Sequence, residues 1–281
     1  MRLASYVLPD GVTSYGLVDG NTILDASATL RAAFPNVVEF ASSGGSMGDF
    51  HGAQARNFNE VVLLPPVDLD KIICVGLNYL SHIIETGRDV PAHPAIFTRH
   101  PNSVVGHGQP LIAPRVSDRF DFEGELAIVI GKRGHHISAR EAMNYVAGYT
   151  CFNDGSIRDY QRHTSQYWAG KNFDRSGSIG PWLVTVDEMP NIDSETIVTR
   201  LNGLEMQRAQ FSDLAIKIPD LIEYVSSVCE LSPGDVIATG TPGGVGAFRN
   251  PPVFMKPGDF VEIEISRIGT LSNVIEAGRR E

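Results

Sequence analysis

Short apolar runs that end in turn residues are the sequence feature that most limits how this chain can fold. They are rich in β-branched and aromatic residues, and the clearest are KIICVGLNY (71–79), GELAIVIG (124–131) and AGYTCFND (147–154). Runs of this length and composition are typical of buried β-strands. Helical spacing is scarce, and the strands do not alternate regularly with helices as in a barrel or a doubly wound fold. The sequence therefore predicts a strand-rich α+β fold.

Three local signals predict the connections between strands. Asn202-Gly203 stands between two strand-like runs, which indicates a tight hairpin. Ser138 and Glu141 match an S-x-x-E capping box, which predicts a short helix. In IPDLIEYVSSVCEL, the apolar residues at 218, 221, 222, 225 and 228 have the spacing of one helix face.

The first part of the chain differs from the rest. Residues 1–25 resemble short strands with turns between them, and residues 27–58 are loosely helical with a break at 43–46. Pro65 and Pro66 then mark a connector, because proline continues neither a helix nor a central strand. We expect a small N-terminal α/β domain over 1–68 and a larger second domain over 69–281, which a chain of 281 residues can accommodate.

Composition limits the partners. The net charge of −10 argues against a nucleic-acid partner, which needs a basic face, but a local basic pocket could still bind a small anion. No apolar run approaches the roughly 18 residues of a membrane span, and MRLASYVLPDG lacks the apolar core of a signal peptide. Three separated cysteines without a CxxC pair are expected to be free thiols. We therefore expect a cytoplasmic protein with no membrane partner.

An acidic segment, DFEGELAIVIG, is the strongest chemical signal. Alternate residues of a strand share a face, so Asp121, Glu123 and Glu125 are predicted to point the same way. Such carboxylates repel one another unless solvent or a cation neutralises them, and a hard divalent cation prefers oxygen ligands. An exposed acidic strand face is the simpler alternative, but the apolar run that follows favours burial.

Two further segments carry polar residues suited to catalysis. In FNDGSIRDYQ, Asp154 can supply another oxygen ligand, and Arg158 and Gln161 can bind a carboxylate or carbonyl, although Asn-Asp-Gly alone predicts only a turn. In GLNYLSHIIE, His82 and Glu85 are three residues apart and share a helix face. A carboxylate beside an imidazole raises its basicity, which suits a general base acting on water.

Lys171 in AGKNFD and Thr241 in TGTPGGVG are candidate partners for a developing oxyanion. The glycine-rich segment alone is more typical of a tight loop. It lacks the Lys-Ser/Thr of a P-loop, so it does not indicate nucleotide binding.

Six motifs in this order resemble the fumarylacetoacetate hydrolase family over residues 60–278: GLNYxxHxxE, DFExELAxVIG, NDxSxRDxQ, GKxFD, GPWLVT and TGTPxGVG. The resemblance implies a mixed β-sheet, arranged as a sandwich-like roll around a buried active site. It also implies a homodimer that uses Mg²⁺ or Mn²⁺ and binds a small anionic 2-oxo acid.

The resemblance further implies roles for individual residues. Glu123, Glu125 and Asp154 match the metal ligands of the family, whereas Asp121 is not normally a ligand. His82 and Glu85 match the catalytic pair, on a segment that often closes as a lid, and Lys171 matches the active-site lysine. Arg158, Gln161 and Thr241 match positions that contact substrate.

The chain departs from the family pattern at two places near these motifs. Many members have Phe-x-Lys where this chain has Phe97-Thr98-Arg99, and arginine brings a planar fork in place of a point charge. Position 155 is Gly, where relatives often carry a bulkier residue. The N-terminal domain varies across the family and carries no functional inference.

The resemblance implies an Mg²⁺- or Mn²⁺-dependent hydrolase that cleaves a C–C bond of a 2,4-dioxo acid (an acylpyruvate or a diketo-deoxy acid). Pyruvate or a related 2-oxo acid would leave as an enolate held by the metal and Lys171, after His82 activates a water. The same enolate would serve an oxaloacetate decarboxylase, or an isomerase, hydratase or lyase of a 2-oxo acid. The His82–Glu85 pair favours the hydrolase, because decarboxylation has no strict need for a base. Since every site residue is present, a catalytically silent relative is not expected.

Overall fold

The structure is a computed structural model that describes residues 1–278, and nineteen strands and six α-helices lie in that range. The strands are β1 Arg2–Val7, β2 Thr13–Asp19, β3 Thr22–Asp25, β4 Ala55–Asn57, β5 Val62–Leu63, β6 Ile72–Gly76, β7 Ala95–Arg99, β8 Val104–Val105, β9 Leu111–Ala113, β10 Phe120–Asp121, β11 Gly124–Ile130, β12 Val146–Asn153, β13 Ser156–Ile157, β14 Gly177–Thr185, β15 Thr196–Leu201, β16 Leu204–Gln210, β17 Val236–Ala238, β18 Phe260–Ile265 and β19 Gly269–Ala277. The helices are α1 Ala28–Ala33, α2 Val37–Ser42, α3 Leu80–Thr86, α4 Arg158–Gln161, α5 Trp168–Lys171 and α6 Ile218–Val228.

Most strands belong to two sheets. The larger, mixed sheet has the order β4-β3-β2-β1-β14-β12-β11-β17-β6-β7, with β5 beside β1 and β8 beside β14. The smaller sheet has the order β16-β15-β18-β19-β9, and β10 pairs with β13 alone. The predicted strand-rich α+β fold is confirmed.

Strand β11 lies at the centre of the core, and both of its faces are covered. Leu126 and Ile128 pack in a cluster with residues of the smaller sheet such as Ile263. Ala127 and Val129 face the opposite way, into a second cluster that the N-terminal helices help to form. Each large side chain buried in this way contributes about 1.5–3 kcal/mol. Because neither face of β11 meets water, its sequence is apolar throughout instead of alternating.

The N-terminal strands join the same large sheet as the rest of the chain. β1 pairs with β14 in antiparallel fashion, with Leu3 opposite Leu183. Within the segment predicted as loosely helical, α1 and α2 are confirmed and the predicted break falls after α2, but the end of the segment forms strand β4 instead. The domain boundary near residue 68 stays a prediction, and the sheet continues across it.

The local predictions have mixed outcomes. The hairpin is confirmed, because Asn202 (φ 53°) and Gly203 (φ 78°) connect β15 to β16. Helix α6 is also confirmed, but Val228 is 73% exposed and does not continue the buried face. The helix predicted to start at Ser138 is wrong. The Glu141 N–H donates to the Ser138 carbonyl and forms a turn, and only a 3₁₀ helix follows at Ala142–Tyr145.

Cys74, Cys151 and Cys229 are free thiols, as predicted, and the first two are buried. Within residues 1–278, no helix combines the length and the apolarity that crossing a membrane requires.

Candidate active site

The acidic segment does not form the single strand that the sequence predicted. β10 ends at Asp121 and β11 begins at Gly124, so Glu123 lies in a break between two strands. The Asp121 carboxylate accepts the Gly246 N–H at 2.8 Å and the Ala247 N–H at 2.9 Å. The Asp121 carboxylate therefore binds the backbone of a distant loop. It does not lie in line with the carboxylates of Glu123 and Glu125 on one strand face.

Glu123, Glu125 and Asp154, here called the acidic trio, converge on one point. Each offers a carboxylate oxygen, these oxygens all lie within 4.8 Å of one another, and all three residues are buried. β11 and β12 are adjacent antiparallel strands, and the Asp154 N–H donates to the Glu123 carbonyl at 2.9 Å just beyond them. The pairing of two strands thus brings together the three carboxylates that the sequence predicted as metal ligands.

Lys171, at the end of α5, lies against the acidic trio. Its Nζ donates to Glu123 Oε2 at 2.7 Å and to Asp154 Oδ2 at 2.5 Å. Burial alone would lower the pKa of Lys171, but the Asp154 and Glu123 carboxylates raise it above its usual value. Burial would likewise raise the pKa of Glu123, but Lys171 and Arg158 lower it to about 2. Lys171 is therefore a cation here, and Glu123 is ionised.

Glu125 is in a different electrostatic position. Within residues 1–278 its carboxylate accepts one hydrogen bond, from the Gly240 N–H at 2.8 Å. Burial, together with the nearby Asp154 and Glu123 carboxylates, raises the pKa of Glu125 well above its usual range. Within residues 1–278, Glu125 is thus the member of the acidic trio that forms no ion pair with a lysine or arginine.

The charge balance of the site fits a divalent cation. When all its acidic groups are ionised, four buried carboxylates face three buried cations, which leaves an excess of one negative charge. The carboxylates are Asp121, Glu123, Glu125 and Asp154, and the cations are Arg99, Arg158 and Lys171. Hard cations such as Mg²⁺ and Mn²⁺ prefer carboxylate oxygens. Both the donor set and its uncompensated charge therefore suit such an ion.

The predicted catalytic pair lies on α3 as the sequence indicated. His82 Nδ1 and Glu85 Oε2 are 2.9 Å apart, and the His82 side chain is buried. The Gly244 N–H donates to Glu85 Oε1 at 3.0 Å, and the Phe248 ring lies edge-on to the imidazole at 5.9 Å. These contacts fix the imidazole and orient its Nδ1 toward the carboxylate.

Arg158 is held by its neighbours but keeps a spare donor. Its Nε donates to Asp121 at 2.7 Å, and its Nη1 donates to Glu123 and, at 3.0 Å, to Gln161 Oε1. Its Nη2 is buried and has no hydrogen-bond partner among the residues that the structure describes. A buried unpaired donor is costly, so an anionic group bound beside Nη2 would be stabilised.

Thr241 is held by Gln207, a residue that sequence reasoning missed. Thr241 Oγ1 accepts from Gln207 Nε2 at 2.8 Å and donates to the Gly124 carbonyl at 3.0 Å. Gln207 Oε1 in turn accepts the Gly124 N–H at 3.0 Å. Gln207 belongs to β16 of the hairpin and to none of the six motifs, so no local signal identifies it.

Most of these residues line one cavity. Its empty space, together with the solvent at its open mouth, measures about 680 Å³. The predicted residues that line it are His82, Glu123, Glu125, Arg158, Gln161, Lys171 and Thr241, whereas Glu85 and Asp154 contact these residues without lining the cavity. Phe97, named above only as part of a family motif, also lines the cavity, as do Arg88, Arg162, Tyr167 and Phe248, which sequence reasoning missed.

Comparison with known proteins places this site in a family. A family model described as "Fumarylacetoacetate (FAA) hydrolase C-terminal" matches residues 71–276. The chain belongs to the fumarylacetoacetate hydrolase family. The matched region contains every residue of the site described above, and the predicted family membership is confirmed.

Three relatives in the fumarylacetoacetate hydrolase family carry different reaction names. "Oxaloacetate tautomerase FAHD2A, mitochondrial" from Bos taurus is 39% identical over 287 residues, which cover 98% of this chain and 91% of that protein. A structure of "Fumarylacetoacetate hydrolase (EaFAH)" from Exiguobacterium antarcticum has a TM-score of 0.87 at 32% identity, covering 99% of this chain and 100% of that one. A structure of "5-carboxymethyl-2-hydroxymuconate delta-isomerase" from Mycobacterium smegmatis has a TM-score of 0.81 at 33% identity, with the same coverage. This chain is therefore similar to enzymes named for three reactions.

Proposed function

We propose that this protein catalyses the keto–enol tautomerisation of a small 2-oxo dicarboxylic acid of the oxaloacetate type. The observation that carries the proposal is one cavity lined by His82, Lys171 and two members of the acidic trio, with the third member, Asp154, in contact with Lys171. This arrangement offers a place for the carbonyl oxygen and a base for the adjacent carbon. The bovine relative, which aligns with 98% of this chain, is named for this reaction.

The residues of this chain divide the work as follows. His82, oriented by Glu85, transfers the proton between solvent and the carbon next to the carbonyl, so that a C–H bond forms as the enol O–H is lost. The Lys171 ammonium stabilises negative charge on the carbonyl oxygen. The spare Nη2 donor of Arg158 binds the carboxylate beside that carbonyl.

The acidic trio would hold Mg²⁺ or Mn²⁺ in this proposal. When bound, such a cation withdraws electron density from the 2-oxo group and so favours the enolate. The excess negative charge around Glu125 supports the assignment. Titration of the metal-free protein with MgCl₂ and MnCl₂ in a calorimeter measures the binding directly.

Two arginines at the cavity suit a second carboxylate on the substrate. Arg88 and Arg162 both line the cavity, and neither forms an ion pair or a side-chain hydrogen bond within residues 1–278. Guanidinium groups bind carboxylates with two parallel hydrogen bonds. Replacing both with alanine should raise KM for oxaloacetate by about 10-fold or more and leave KM for pyruvate-type monocarboxylates unchanged. The 10-fold figure corresponds to one lost charge-assisted hydrogen bond of about 1.4 kcal/mol.

The tautomerase proposal is tested by three assays run in parallel with MgCl₂. The first follows the loss of the ultraviolet absorbance of enol-oxaloacetate, the second pyruvate release from oxaloacetate, and the third pyruvate release from an acylpyruvate. We expect the enol signal to decay far faster than pyruvate appears. His82→Ala should lose this acceleration, whereas His51→Ala, which alters an exposed histidine, should keep it. Faster pyruvate release than enol decay would overturn the proposal.

Hydrolysis of a 2,4-dioxo acid is the second candidate function. The close His82–Glu85 contact favours it, because that pair is suited to activate a water molecule. The relative from Exiguobacterium antarcticum is named as a hydrolase. Pyruvate release from an acylpyruvate, measured in the third assay, decides between tautomerisation and hydrolysis. Oxaloacetate decarboxylation is the remaining alternative, and the second assay detects it as pyruvate release from oxaloacetate.

The homodimer and the cytoplasmic location also stay proposals. Light scattering of the purified protein measures the oligomeric state. The bovine relative is named as mitochondrial, so fractionation of cells that express this chain provides the test of location.

A further inference from the structure

Arg99 is a buried cation whose hydrogen-bond donors are all used. It ends β7, where residues 95, 97 and 99 share one face, and its side chain has no exposed surface. A guanidinium carries five N–H groups, and the structure gives each one an acceptor. Nε donates to Ser103 Oγ at 3.1 Å, Nη1 to Asp154 Oδ1 at 2.7 Å and the Gly155 carbonyl at 2.9 Å, and Nη2 to the Ser103 carbonyl at 3.1 Å and Ser176 Oγ at 2.7 Å.

These bonds hold Asp154 from one side. Arg99 occupies Oδ1 of the Asp154 carboxylate, while Oδ2 faces Lys171 at 2.5 Å inside the acidic trio. The carboxylate is therefore fixed in rotation, because Oδ1 is bound to Arg99 and Oδ2 to Lys171, which also contacts Glu123. A lysine at position 99 would provide three donors on a flexible stem and could not reproduce the planar fork.

Two glycines lie beside this arrangement, and one of them, Gly177, makes room for the guanidinium. A Cβ on Gly177 would lie 2.8 Å from Arg99 Cζ, and a Cβ on Gly155 would lie 1.9 Å from the Ser176 carbonyl oxygen. The two positions where this chain departs from the family pattern, Arg99 and Gly155, are thus in direct contact. The guanidinium at 99 is accommodated because Gly177 has no side chain, whereas a side chain at 155 would collide with the Ser176 backbone.

We propose that Arg99 is a positioning residue that fixes Asp154 for a divalent cation and favours Mg²⁺ over Ca²⁺. The inference rests on the proposed metal-binding role of the acidic trio. Mg²⁺ demands near-ideal octahedral geometry with short bonds, whereas Ca²⁺ accepts longer bonds and flexible ligand numbers. A carboxylate whose orientation is fixed by Arg99 can meet the strict geometry that Mg²⁺ requires. If that orientation is lost, the affinity of the site for Mg²⁺ should fall more than its affinity for Ca²⁺.

The test measures the dissociation constants of Mg²⁺ and of Ca²⁺ by calorimetry on metal-free protein. For Arg99→Lys we expect Mg²⁺ affinity to fall by about 10- to 100-fold, as is typical for groups that orient a metal ligand. Ca²⁺ affinity should fall less, so the preference for Mg²⁺ decreases. Lys71→Met is the matched control, because it breaks another ion pair with a buried carboxylate, Lys71–Asp235 at 2.7 Å. It should lower Tm and leave both constants unchanged.

The outcomes separate the inference from the metal proposal. If the wild-type protein binds neither ion, the metal role and the role of Arg99 both fail. If the wild type binds Mg²⁺ and Arg99→Lys binds it equally well, or loses both ions in the same proportion, only the positioning role fails. Should Arg99→Lys not fold, the double variant Ser103→Ala/Ser176→Ala loosens the guanidinium and leaves Asp154 intact. Its Mg²⁺ affinity should fall several-fold, and an unchanged Mg²⁺/Ca²⁺ ratio would overturn the proposal.

Discussion

Replacing Glu125 with glutamine separates the charge of the acidic trio from its shape. The amide retains an oxygen that can accept the Gly240 N–H, but it cannot supply the negative charge that an ionised Glu125 offers to a bound cation. No cation loses its partner, because Lys171 contacts Glu123 and Asp154 instead. Without divalent ions, the free energy of unfolding should therefore stay within about 1 kcal/mol of the wild-type value.

The effect appears when Mg²⁺ is added. An ion present at 100 times its Kd stabilises the folded protein by about 2.7 kcal/mol, which raises Tm by roughly 5–10 °C for a chain of this size. If losing one ligand reduces affinity 100-fold, the same concentration stabilises the variant by only about 0.4 kcal/mol, or roughly 1–2 °C. Differential scanning fluorimetry with and without MgCl₂ measures both values.

Glu195→Gln is the control for this experiment. Glu195 is another buried carboxylate, but it pairs with Arg267 and accepts from Ser266, outside the cavity. Its variant should have a lower Tm and the full shift on adding Mg²⁺. A full Mg²⁺ shift in Glu125→Gln would refute the role of the acidic trio, and severe loss of metal-free stability would mean that Glu125 is mainly structural.

Three other predictions concern different parts of the molecule. Glu123→Ala should abolish turnover and weaken Mg²⁺ binding while circular dichroism shows a retained fold, and wild-type turnover that persists in excess chelator would contradict the metal role. Asp25 accepts from Tyr6, Ser14 and Arg56; burial raises its pKa, but these bonds lower it overall. The stabilisation is thus present above the usual carboxyl pKa and lost as the pH falls through the lowered value. Asp25→Asn should cost about 1–3 kcal/mol in urea unfolding at pH 7, and this cost should shrink progressively as the pH falls from about 4 through the lowered pKa; a cost that does not change with pH would be evidence against it. Gly148→Ala would place a Cβ 2.2 Å from the Val184 carbonyl oxygen, so it should lower Tm by several degrees or prevent folding, and a wild-type Tm would contradict this reasoning.

The parts of the site that the sequence predicted are those encoded by local signals. The apolar run at 124–131 identified β11, and the motif around Asp154 identified the end of β12, so their pairing could bring the acidic trio together. The His82–Glu85 contact followed from helical spacing alone. In each case the information lies within a few residues.

The parts that the sequence did not predict depend on distant residues. The break before Glu123 allows Asp121 to accept N–H groups from Gly246 and Ala247, which are more than 120 residues away in the chain. The role of Gln207 depends on how the hairpin of β15 and β16 packs against Gly124. In the sequence, Arg99 differs from the family pattern, but nothing near it indicates what it binds. Its five hydrogen-bond acceptors come from three separate segments of the chain. Tertiary packing decides such contacts, and no short window of sequence contains them.

The pairing of β1 with β14 has a consequence for anyone who shortens this chain. β14 is bordered on one side by β12, and on its other side Leu3 covers Leu183 while β8 covers Gly177 and Ser178. A truncated protein limited to the region matched by the family would leave the Leu183 end of this strand with open backbone groups. Unprotected strand edges of this kind recruit other chains and aggregate. The N-terminal segment, although it supplies no residue to the cavity, thus covers a strand edge that would otherwise be open to pairing with another chain.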